Sequence, residues 1–451
     1  MAVEKEIIVA IEFGSSKIRG VAGCKNIDGS VQVLDVEQVD ARNCIRKGVV
    51  YNIDKTVMCL KHILEKMEKE LNLRIRSVFV GIGGQSLRVR KNTVSRQFAA
   101  KTVISQELVD SLLKFNRNTV YPGYEILDVI PQEYRVGLDT TTDPVGVLSN
   151  QIDGTYLNLI ARAEVREYVL KCVEAVGLDV AGILVAPVTV AECVLTDTEK
   201  RSGCALVDMG YGTTTVTVYK NNLLRHLAVI PLGGNSITQD LCSQQIDEDE
   251  AEGLKVKYGS AYSDLNGEEL AKNLLMNNGR TIEERLLVDV VEAREEEILG
   301  NVAAQLYNSG FQDKLLAGIV FSGGAAGVKN LEKAVFARIR PDKMRFARSV
   351  PFELKPAHAE QVMKDGSLNT LLSLLYKGNR NCVEERETVS VEDIKEDVRE
   401  EEVKPEVRPE VKVEEEVRET VREKETRPEG KRFWTKVKEK IEILTKTVTE
   451  E

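Results

Sequence analysis

Two short turns in this chain combine a carboxylate with glycine and hydroxyl side chains, a combination suited to phosphate binding. The first turn is Glu12-Phe13-Gly14-Ser15-Ser16-Lys17, and the second, 196 positions later, is Asp208-Met209-Gly210-Tyr211-Gly212-Thr213-Thr214. Each lies between two apolar runs of strand type, which predicts the tip of a β-hairpin. Glycine lets backbone N–H groups approach an anion, and the hydroxyl groups add hydrogen-bond donors.

The carboxylates of Glu12 and Asp208 cannot face a phosphate unless a cation lies between them. Hydrated Mg²⁺ suits this position, because it prefers one or two carboxylates together with phosphate oxygens. One turn of this kind is more often only a hairpin, but two turns in equivalent places favour a shared ligand. The sequence therefore predicts a phosphate site with both acids near Mg²⁺, which they contact through water.

A third glycine-rich segment lies near the end of the second half of the chain. It reads Gly318-Ile319-Val320-Phe321-Ser322-Gly323-Gly324-Ala325-Ala326 and precedes a helical pattern from Val328 to Ile339. A buried strand that runs into Gly-Gly lets the backbone pass close to a flat ligand, such as a base with its ribose. A plain strand-to-helix turn is the alternative.

Apolar periodicity predicts the elements that position these turns. Residues 7–39 read as three strands. A helix from Asp54 to Leu71 follows, with apolar positions at Met58, Ile63, Leu64, Met67 and Leu71. A section of about 80 residues then separates the strand Val78 to Gly81 from a helix at Val165 to Val176, and it is long enough to be an inserted subdomain.

Further helices are predicted on both sides of the second turn. Within the inserted section, Ser105 has the character of a helix N-cap. After the second turn, three segments read as helical: Asp247 to Tyr258, Asn266 to Asn273 and Glu283 to Tyr307.

Composition narrows the class of protein. With 451 residues and 42% hydrophobic content, the chain can bury at least two cores. Eight scattered cysteines without a Cys-x-x-Cys pair, and three isolated histidines, indicate reduced thiols rather than disulfides or a zinc site. The sequence has no long apolar stretch and no signal peptide, so we expect a cytoplasmic protein.

The net charge of −10 is unevenly distributed. Residues 383–430 hold 19 acidic and 10 basic side chains, few large apolar residues and three prolines, which predicts a disordered acidic linker. The rest of the chain is nearly neutral and has no basic field, so no nucleic-acid partner is expected.

The last residues form a different pattern. At helical spacing, Phe433, Trp434, Val437, Ile441, Leu444 and Val448 share one face, with basic residues that include Lys431, Arg432 and Lys436. This pattern is typical of a helix that lies on an anionic membrane surface. A terminal helix packed on the body is the alternative. One helix of this size binds weakly, so stable attachment requires a body that self-associates.

Two phosphate turns followed by a strand-Gly-Gly-helix segment resemble the actin, Hsp70 and sugar-kinase superfamily. The layout of body, linker and basic terminal helix resembles the FtsA family of bacterial cell-division proteins more closely. Its specific motifs are Glu12 to Lys17, Ile130-Pro131-Gln132-Glu133-Tyr134, Asp143-Pro144-Val145-Gly146 and Arg225 to Asn235. The resemblance implies an α/β, two-domain actin-like (ribonuclease H-like) fold with an inserted subdomain 1C, a disordered linker and a C-terminal amphipathic helix.

The resemblance also implies the domain boundaries. They are 1–85 and 164–202 for subdomain 1A, 86–163 for 1C, 203–240 and 301–345 for 2A, 241–300 for 2B, 346–380 for a return to 1A, 381–430 for the linker and 431–448 for the membrane helix.

The same resemblance implies the ligand, ATP with Mg²⁺, and the role of each site residue. Gly14, Ser15, Ser16, Lys17, Gly210, Gly212, Thr213 and Thr214 would contact the phosphates, Glu12 and Asp208 would lie near the metal, and Ser322, Gly323, Gly324 and Ala325 would back the base. Glu252 and Lys255 match a Glu-x-x-Lys spacing used toward the ribose, although an ordinary surface pair has the same spacing.

Hydrolysis is expected to be slow. Relatives that hydrolyse ATP often have Glu before the proline that opens a helix of the first domain, whereas this chain has Ala186-Pro187. The resemblance implies a protein that polymerises on the cytoplasmic face of the inner membrane at the division site. There it would bind the C-terminal peptide of FtsZ on subdomain 2B, between about Leu241 and Arg294, and recruit later divisome proteins.

Two other classes share the fold. A PilM-type pilus-assembly protein is not expected to carry the linker and basic terminal helix. A small-molecule kinase needs a carboxylate base beside a sugar pocket, and no Asp is conspicuous in this role near Gly81 to Gln85 or in the inserted section.

Overall fold

A computed structural model describes residues 6–263, 272–277, 279–356 and 365–385 of the chain. These residues lie within one compact unit, Met1–Glu387. The predicted terminal helix and nearly all of the predicted acidic linker lie outside the described residues. The first residues assigned to that linker are described, however, and Val383–Glu385 forms a strand that pairs with Leu73–Ile75. Among the described residues, no helix is both long enough and apolar enough to cross a bilayer.

The helices are α1 (Ile53–Leu71), α2 (Gln106–Arg117), α3 (Ala163–Ala175), α4 (Ala186–Val194), α5 (Asp197–Ser202), α6 (Gly234–Cys242), α7 (Glu248–Tyr258), α8 (Glu284–Asn308), α9 (Leu331–Arg338) and α10 (Asn369–Lys377).

The strands are β1 (Ile8–Phe13), β2 (Lys17–Lys25), β3 (Val31–Asp40), β4 (Ile45–Arg46), β5 (Val49–Val50), β6 (Leu73–Ile75), β7 (Ser77–Ile82), β8 (Arg88–Val103), β9 (Tyr124–Val136), β10 (Asp139–Thr141), β11 (Leu148–Arg162), β12 (Asp179–Val185), β13 (Cys204–Met209), β14 (Thr214–Lys220), β15 (Leu223–Ile230), β16 (Asn273–Leu275), β17 (Thr281–Glu283), β18 (Gly318–Ser322), β19 (Met344–Phe346), β20 (Leu354–Pro356) and β21 (Val383–Glu385).

Two sheets share one strand order, so the two halves of the chain are built alike. In the part that the structure describes, the first sheet runs β12-β7-β1-β2-β3-β20, and the second contains β19-β18-β13-β14-β15. Each half has an antiparallel hairpin, β1–β2 or β13–β14, whose first strand pairs in parallel with a later strand, β7 or β18. Both predicted phosphate turns therefore lie at hairpin tips, as the sequence indicated.

Helix α1 covers the first sheet through an apolar stripe. Asn52 caps it by accepting a hydrogen bond from Lys55 N (3.0 Å), and Leu60, Ile63 and Met67 are buried against the sheet. The prediction that Met58 belongs to this stripe is wrong, because its side chain is 70% exposed. At 100° per residue, Met58 lies on the opposite side of the helix from Met67 and its neighbours.

The inserted section is a four-stranded antiparallel unit, in the order β10-β9-β11-β8, covered by one helix. Strands β8 and β9 flank β11, and α2 packs on this unit through Val109 and Leu112. Ser105 caps α2, as predicted, by accepting a hydrogen bond from Leu108 N (3.3 Å). The unit extends the second sheet, because Arg88 of β8 pairs with Ala228 of β15.

Two other local predictions need correction. The helix after Gly323 begins at Leu331 rather than at Val328, since a 3₁₀ turn at Gly324–Gly327 and a left-handed Asn330 (φ 57°) come first. The segment predicted as helical from Asn266 to Asn273 lies mostly outside the described residues. Its last residue, Asn273, begins strand β16.

Candidate functional site

The two hairpin tips meet across a cleft. A β-carbon at Gly212 would lie 2.9 Å from Ser15 Oγ, so the second tip touches the first. The predicted phosphate residues that line the cleft together are Gly14, Ser15, Ser16, Lys17, Gly210, Gly212 and Thr213. Residues 196 positions apart in sequence therefore share one concave surface, although their binding roles stay predictions.

Each tip is a tight turn closed by the same hydrogen bond. Gly14 N donates to Lys17 O (3.1 Å), and Gly210 N donates to Thr213 O (2.8 Å). The close approach explains the glycine at position 14, because a β-carbon there would lie 2.7 Å from Lys17 O. Equivalent residues thus occupy equivalent places in two hairpins, with Glu12 corresponding to Asp208.

Glu12 and Asp208 line the floor of the cleft at the ends of their strands. Burial raises the pKa of Asp208 to about 7, and the nearby Glu12 carboxylate adds to the shift. Burial also raises the pKa of Glu12, although the Arg19 guanidinium opposes this effect from 3.4 Å. Arg19 thus pairs with Glu12, whereas no described cation offsets the burial of Asp208.

The third glycine segment packs against this floor. Gly323 has φ +88°, which favours glycine, and a β-carbon on it would lie 2.6 Å from Asp208 Oδ1 and 2.4 Å from Met209 O. Gly323 and Gly324 line the cleft together with the two tips. The strand-Gly-Gly segment therefore lies where the sequence predicted it, beside the second phosphate turn.

A second cavity adjoins the cleft and shares Tyr211 and Gly324 with it. The walls of this cavity include Glu252, Lys255 and Ala325. Lys255 Nζ donates to Glu252 Oε2 (2.6 Å) and to Thr238 Oγ1 (3.0 Å). The Glu-x-x-Lys pair is thus held on α7, facing the cavity in which a base and ribose were predicted.

Two of the predicted contact residues line neither the cleft nor the adjoining cavity. Thr214 is buried and donates to Leu232 O (2.9 Å), and the neighbouring Thr215 lines the cleft instead. Successive side chains of a strand point to opposite faces, which explains the difference. Ser322 is also buried, and its hydroxyl accepts a hydrogen bond from Asn369 Nδ2 (3.0 Å).

Several cleft residues were missed by sequence reasoning. Arg19 lies in the cleft and donates to Ser367 O (3.2 Å), and its Nε is buried without a partner in the described structure. Strand alternation could have indicated Arg19, because it lies two residues after Lys17 on β2. Gly366 and Ser367 also line the cleft, but no motif in the sequence marked them.

A strap formed by residues 41–50, which contain β4 and β5, runs beside the first tip. Ala41 N donates to Ser16 O (2.8 Å), and Gly48 N donates to Ser15 Oγ (2.7 Å). Arg42 on this strap donates to Asp249 Oδ1 (2.8 Å) in the first turn of α7, the helix that carries Glu252 and Lys255. This ion pair connects the two halves at the side of the cleft.

The donor set suits a magnesium–phosphate group better than a metal ion alone. Among the described residues, no group of three or more His, Cys, Asp or Glu side chains could hold a metal. Two carboxylates beside two glycine turns match Mg²⁺, which keeps several waters and shares phosphate oxygens. The buried carboxylate of Asp208 fits this group, since a cation would offset its burial.

The predicted membrane-facing residues Phe433, Trp434, Val437, Ile441, Leu444, Lys431, Arg432 and Lys436 lie outside the described residues.

Comparison with known proteins agrees with this architecture. A solved PilM-PilN type IV pilus biogenesis complex has a chain of similar fold, with a TM-score of 0.56 and 14% identity over 82% of this chain and 98% of that one. This likeness shows the fold alone. A family model for the SHS2 domain inserted in FtsA matches residues 84–159, and the model for cell division protein FtsA matches residues 205–350. The chain therefore has a two-domain actin-like α/β fold with an inserted SHS2 domain.

Curated relatives identify the family. The cell division protein FtsA of Porphyromonas gingivalis is 32% identical over 351 residues, which cover 76% of this chain and 73% of the relative. The FtsA proteins of Neisseria meningitidis serogroup B (30% identity; 74% and 83% covered) and of Escherichia coli K12 (26%; 86% and 96%) are also similar. The chain belongs to the FtsA family of cell division proteins.

Proposed function

We propose that this protein binds ATP with Mg²⁺ in the cleft and acts in cell division as a polymer attached to the membrane. The observation that supports nucleotide binding most strongly is the contact between two equivalent glycine tips above a buried, under-neutralised carboxylate pair. A polyphosphate with its metal supplies both the anion that the N–H groups need and the cation that the carboxylates need.

We assign a part of the nucleotide to each group of residues. Gly14, Ser15 and Lys17 on one side and Gly212 and Thr213 on the other would hold the phosphates. Arg19 joins them as a further cation at the floor. Glu12 and Asp208 would hold Mg²⁺ through water. Glu252 and Lys255 would bind the ribose hydroxyls, with Gly324 and Ala325 against the base.

Hydrolysis in this cleft is proposed to be slow. Ala186 and Pro187 line the cleft where related ATPases have a water-orienting Glu. Among the described residues of the wall, Glu12 and Asp208 are the only carboxylates, and both are assigned to the metal. A turnover below roughly 1 per second, the low end of ordinary enzyme rates, is expected. The same absence of a separate base argues against a small-molecule kinase, for which phosphoryl transfer to sugars is the test.

Nucleotide binding is tested by titrating the full chain with a fluorescent ATP analogue in the presence of Mg²⁺. Gly212→Val should abolish binding, because a side chain there would collide with Ser15 and fill the phosphate space. Gly253→Ala is the matched control, since a β-carbon at Gly253 meets nothing within 4 Å. Wild-type protein that fails to bind ATP, or equal binding by the two variants, would contradict the proposal.

Membrane attachment is proposed to depend on the terminal helix. Sedimentation with anionic lipid vesicles should recover the full chain and lose the variant that lacks residues 431–451. Ile441→Ser should weaken recovery, because Ile441 lies within the apolar arc of that segment. Ile443→Ser, which changes the same residue type outside the arc, serves as the control. Unaltered vesicle binding after the deletion would rule the anchor out.

The division role follows from the family and is proposed here for this chain. We expect the body to self-associate on the inner membrane at the division site, to bind the C-terminal peptide of FtsZ and to recruit later divisome proteins. A fluorescent fusion should form a midcell band, and the band should become diffuse without residues 431–451. A labelled FtsZ C-terminal peptide that shows no binding to the full chain would contradict the partner assignment.

A further inference from the structure

Strand β8 has a charge distribution unlike that of the rest of the chain. It carries five basic side chains and no acidic one, in a protein of net charge −10. The basic residues are Arg88, Arg90, Lys91, Arg96 and Lys101.

Three acidic side chains of the neighbouring strands form ion pairs with cations outside β8. Asp153 on β11 pairs with Arg135 (2.6 Å), and two acids of β9 pair outside β8: Glu125 with Arg166 (3.7 Å) and Glu133 with Arg225 (2.8 Å).

The cations of β8 have only neutral partners in the part of the chain that the structure describes. Arg88 lies over the ring of Tyr124 at 4.8 Å, and Arg96 donates to Ser111 Oγ (3.3 Å). The regular register alternates side chains between the two faces of β8, so Arg88, Arg90 and Arg96 share one face and Lys91 lies on the other. Exposed like charges repel one another weakly, and an acidic partner would offset this repulsion.

One backbone edge of β8 is also free. The strand pairs with β11 in a regular register from Arg88 to Gln97, and α2 packs on its face around Val94. On its other edge, Arg88 alone pairs with a strand, through Ala228 of β15, among the described residues. Residues 90–97 therefore present unpaired N–H and C=O groups, and Arg90 and Lys91 are exposed beside them.

We propose that this edge, residues 90–97 of β8, is a docking site for an extended acidic segment of a partner protein, which adds to the sheet as a strand. Strand addition satisfies the unpaired backbone groups, and the acidic side chains of the segment can pair with the exposed cations beside the edge. A lipid surface could supply negative charge but has no backbone groups to continue the ladder. The edge is separate from the nucleotide cleft, so this site does not depend on nucleotide binding.

The test uses a fluorescein-labelled nine-residue peptide of alternating glutamate and threonine, titrated against the full chain by anisotropy. The control peptide keeps every glutamate and replaces the threonines with proline, which cannot join a ladder. The first peptide should bind at least about tenfold more tightly than the second. Hydrogen exchange should show slower exchange of β8 amides within residues 89–97 with the first peptide only.

Matched variants test whether peptide binding depends on the charges at the edge of β8 or on the charge of the protein in general. The double variant Arg90→Ser, Lys91→Ser removes one cation from each face of the strand and should weaken binding of the first peptide roughly two- to fivefold, because an exposed charge pair is lost whichever face the glutamates occupy. The double variant Lys114→Ser, Arg117→Ser removes the same charge from exposed positions of α2 and should leave binding unchanged.

Three results would overturn the proposal. The first is equal binding of both peptides, and the second is equal weakening by both double variants. The third is binding to phosphatidylglycerol vesicles that depends on Arg90 and Lys91 while the peptides do not bind, which would identify a membrane site instead.

Discussion

The two hairpin tips share a backbone but differ in charge. Both close with a glycine N–H that donates across the turn, and both place a carboxylate at the end of the first strand. Glu12 has Arg19 as an ion-pair partner at 3.4 Å, whereas no basic side chain offsets the burial of Asp208 in the described structure. The repeated backbone thus places an acid at the same point of two similar tips, and among the described residues only one of the two acids has a basic partner.

This difference indicates where an external cation is needed. A buried carboxylate without a partner is costly unless it is protonated or meets a cation. Without nucleotide, protonation removes the buried charge of Asp208, as its raised pKa indicates. With nucleotide bound, Mg²⁺ would offset this charge instead. We therefore expect the second tip to carry most of the metal dependence and the first tip to carry more of the structural role.

The largest expected effect is on affinity for Mg²⁺ and ATP. Asp208→Asn keeps the shape of the side chain and removes the charge, so the Mg²⁺-dependent part of ATP affinity should fall by about 10- to 100-fold. Titration with and without Mg²⁺ measures this part. Glu12→Gln should reduce the Mg²⁺-dependent part of ATP affinity less, because Arg19 already offsets the charge of Glu12. A larger loss from Glu12→Gln would reverse the proposed division between the tips.

The second effect is on the stability of the protein without nucleotide, and it should be larger at the second tip. At pH 8, Asp208→Asn should raise the free energy of unfolding by about 1–3 kcal/mol, because an uncompensated buried charge is removed. Glu12→Gln should change the free energy of unfolding less, because Arg19 already opposes the effect of burial on Glu12 and would lose its ion-pair partner. Urea unfolding measures both changes.

The pH dependence of the Asp208→Asn effect checks its cause. The folded-state pKa of Asp208 is raised to about 7, so the folded protein binds more protons than the unfolded chain between the ordinary carboxyl range and pH 7. The contribution of Asp208 to the free energy of unfolding is therefore most favourable at low pH and is lost as the pH rises to about 7. The difference between wild type and Asp208→Asn should be present at pH 8 and nearly absent at pH 4.

The third effect is on the pH dependence of nucleotide affinity. Mg²⁺ requires ionised Asp208, so the Mg²⁺-dependent affinity should rise about tenfold between pH 6 and pH 8 and level off above that. The Asp208→Asn variant should lose this dependence. Isothermal titration across the range provides the measurement, and a pH profile shared by wild type and variant would show that another group titrates.

The smallest expected effect concerns the ion pair between the two halves. Arg42 and Asp249 are partly exposed, so their coupling should be only about 0.2–1 kcal/mol. A double-mutant cycle with Arg42→Ala and Asp249→Ala, read as the dissociation rate of a fluorescent ATP analogue, should show faster release and a non-additive double variant. Arg46→Ala is the control, since Arg46 lies on the same strap but stacks on Tyr51 at 4.1 Å. Additive rates would show that the pair does not hold the cleft closed.

Local pattern was sufficient to place most of the elements of the site. Glycine beside a strand-end carboxylate predicted both tips, and the strand-Gly-Gly pattern predicted the third segment, because these features depend on neighbours in sequence. Sequence patterns gave wrong predictions where the direction of a side chain decides whether it is buried, exposed or part of the cleft. Thr214 points inward and Thr215 lines the cleft, and Met58 lies on the exposed side of α1.

The sequence by itself determined that this chain has two similar halves, each with a glycine tip and an acid, since these features are encoded in short segments. Tertiary structure alone decided that Arg19 neutralises Glu12 while Asp208 lacks a cation, and that Arg42 reaches Asp249. The physical reason is that burial and charge pairing depend on which distant side chains approach one another. Such approaches arise only when both sheets and their helices pack around the cleft.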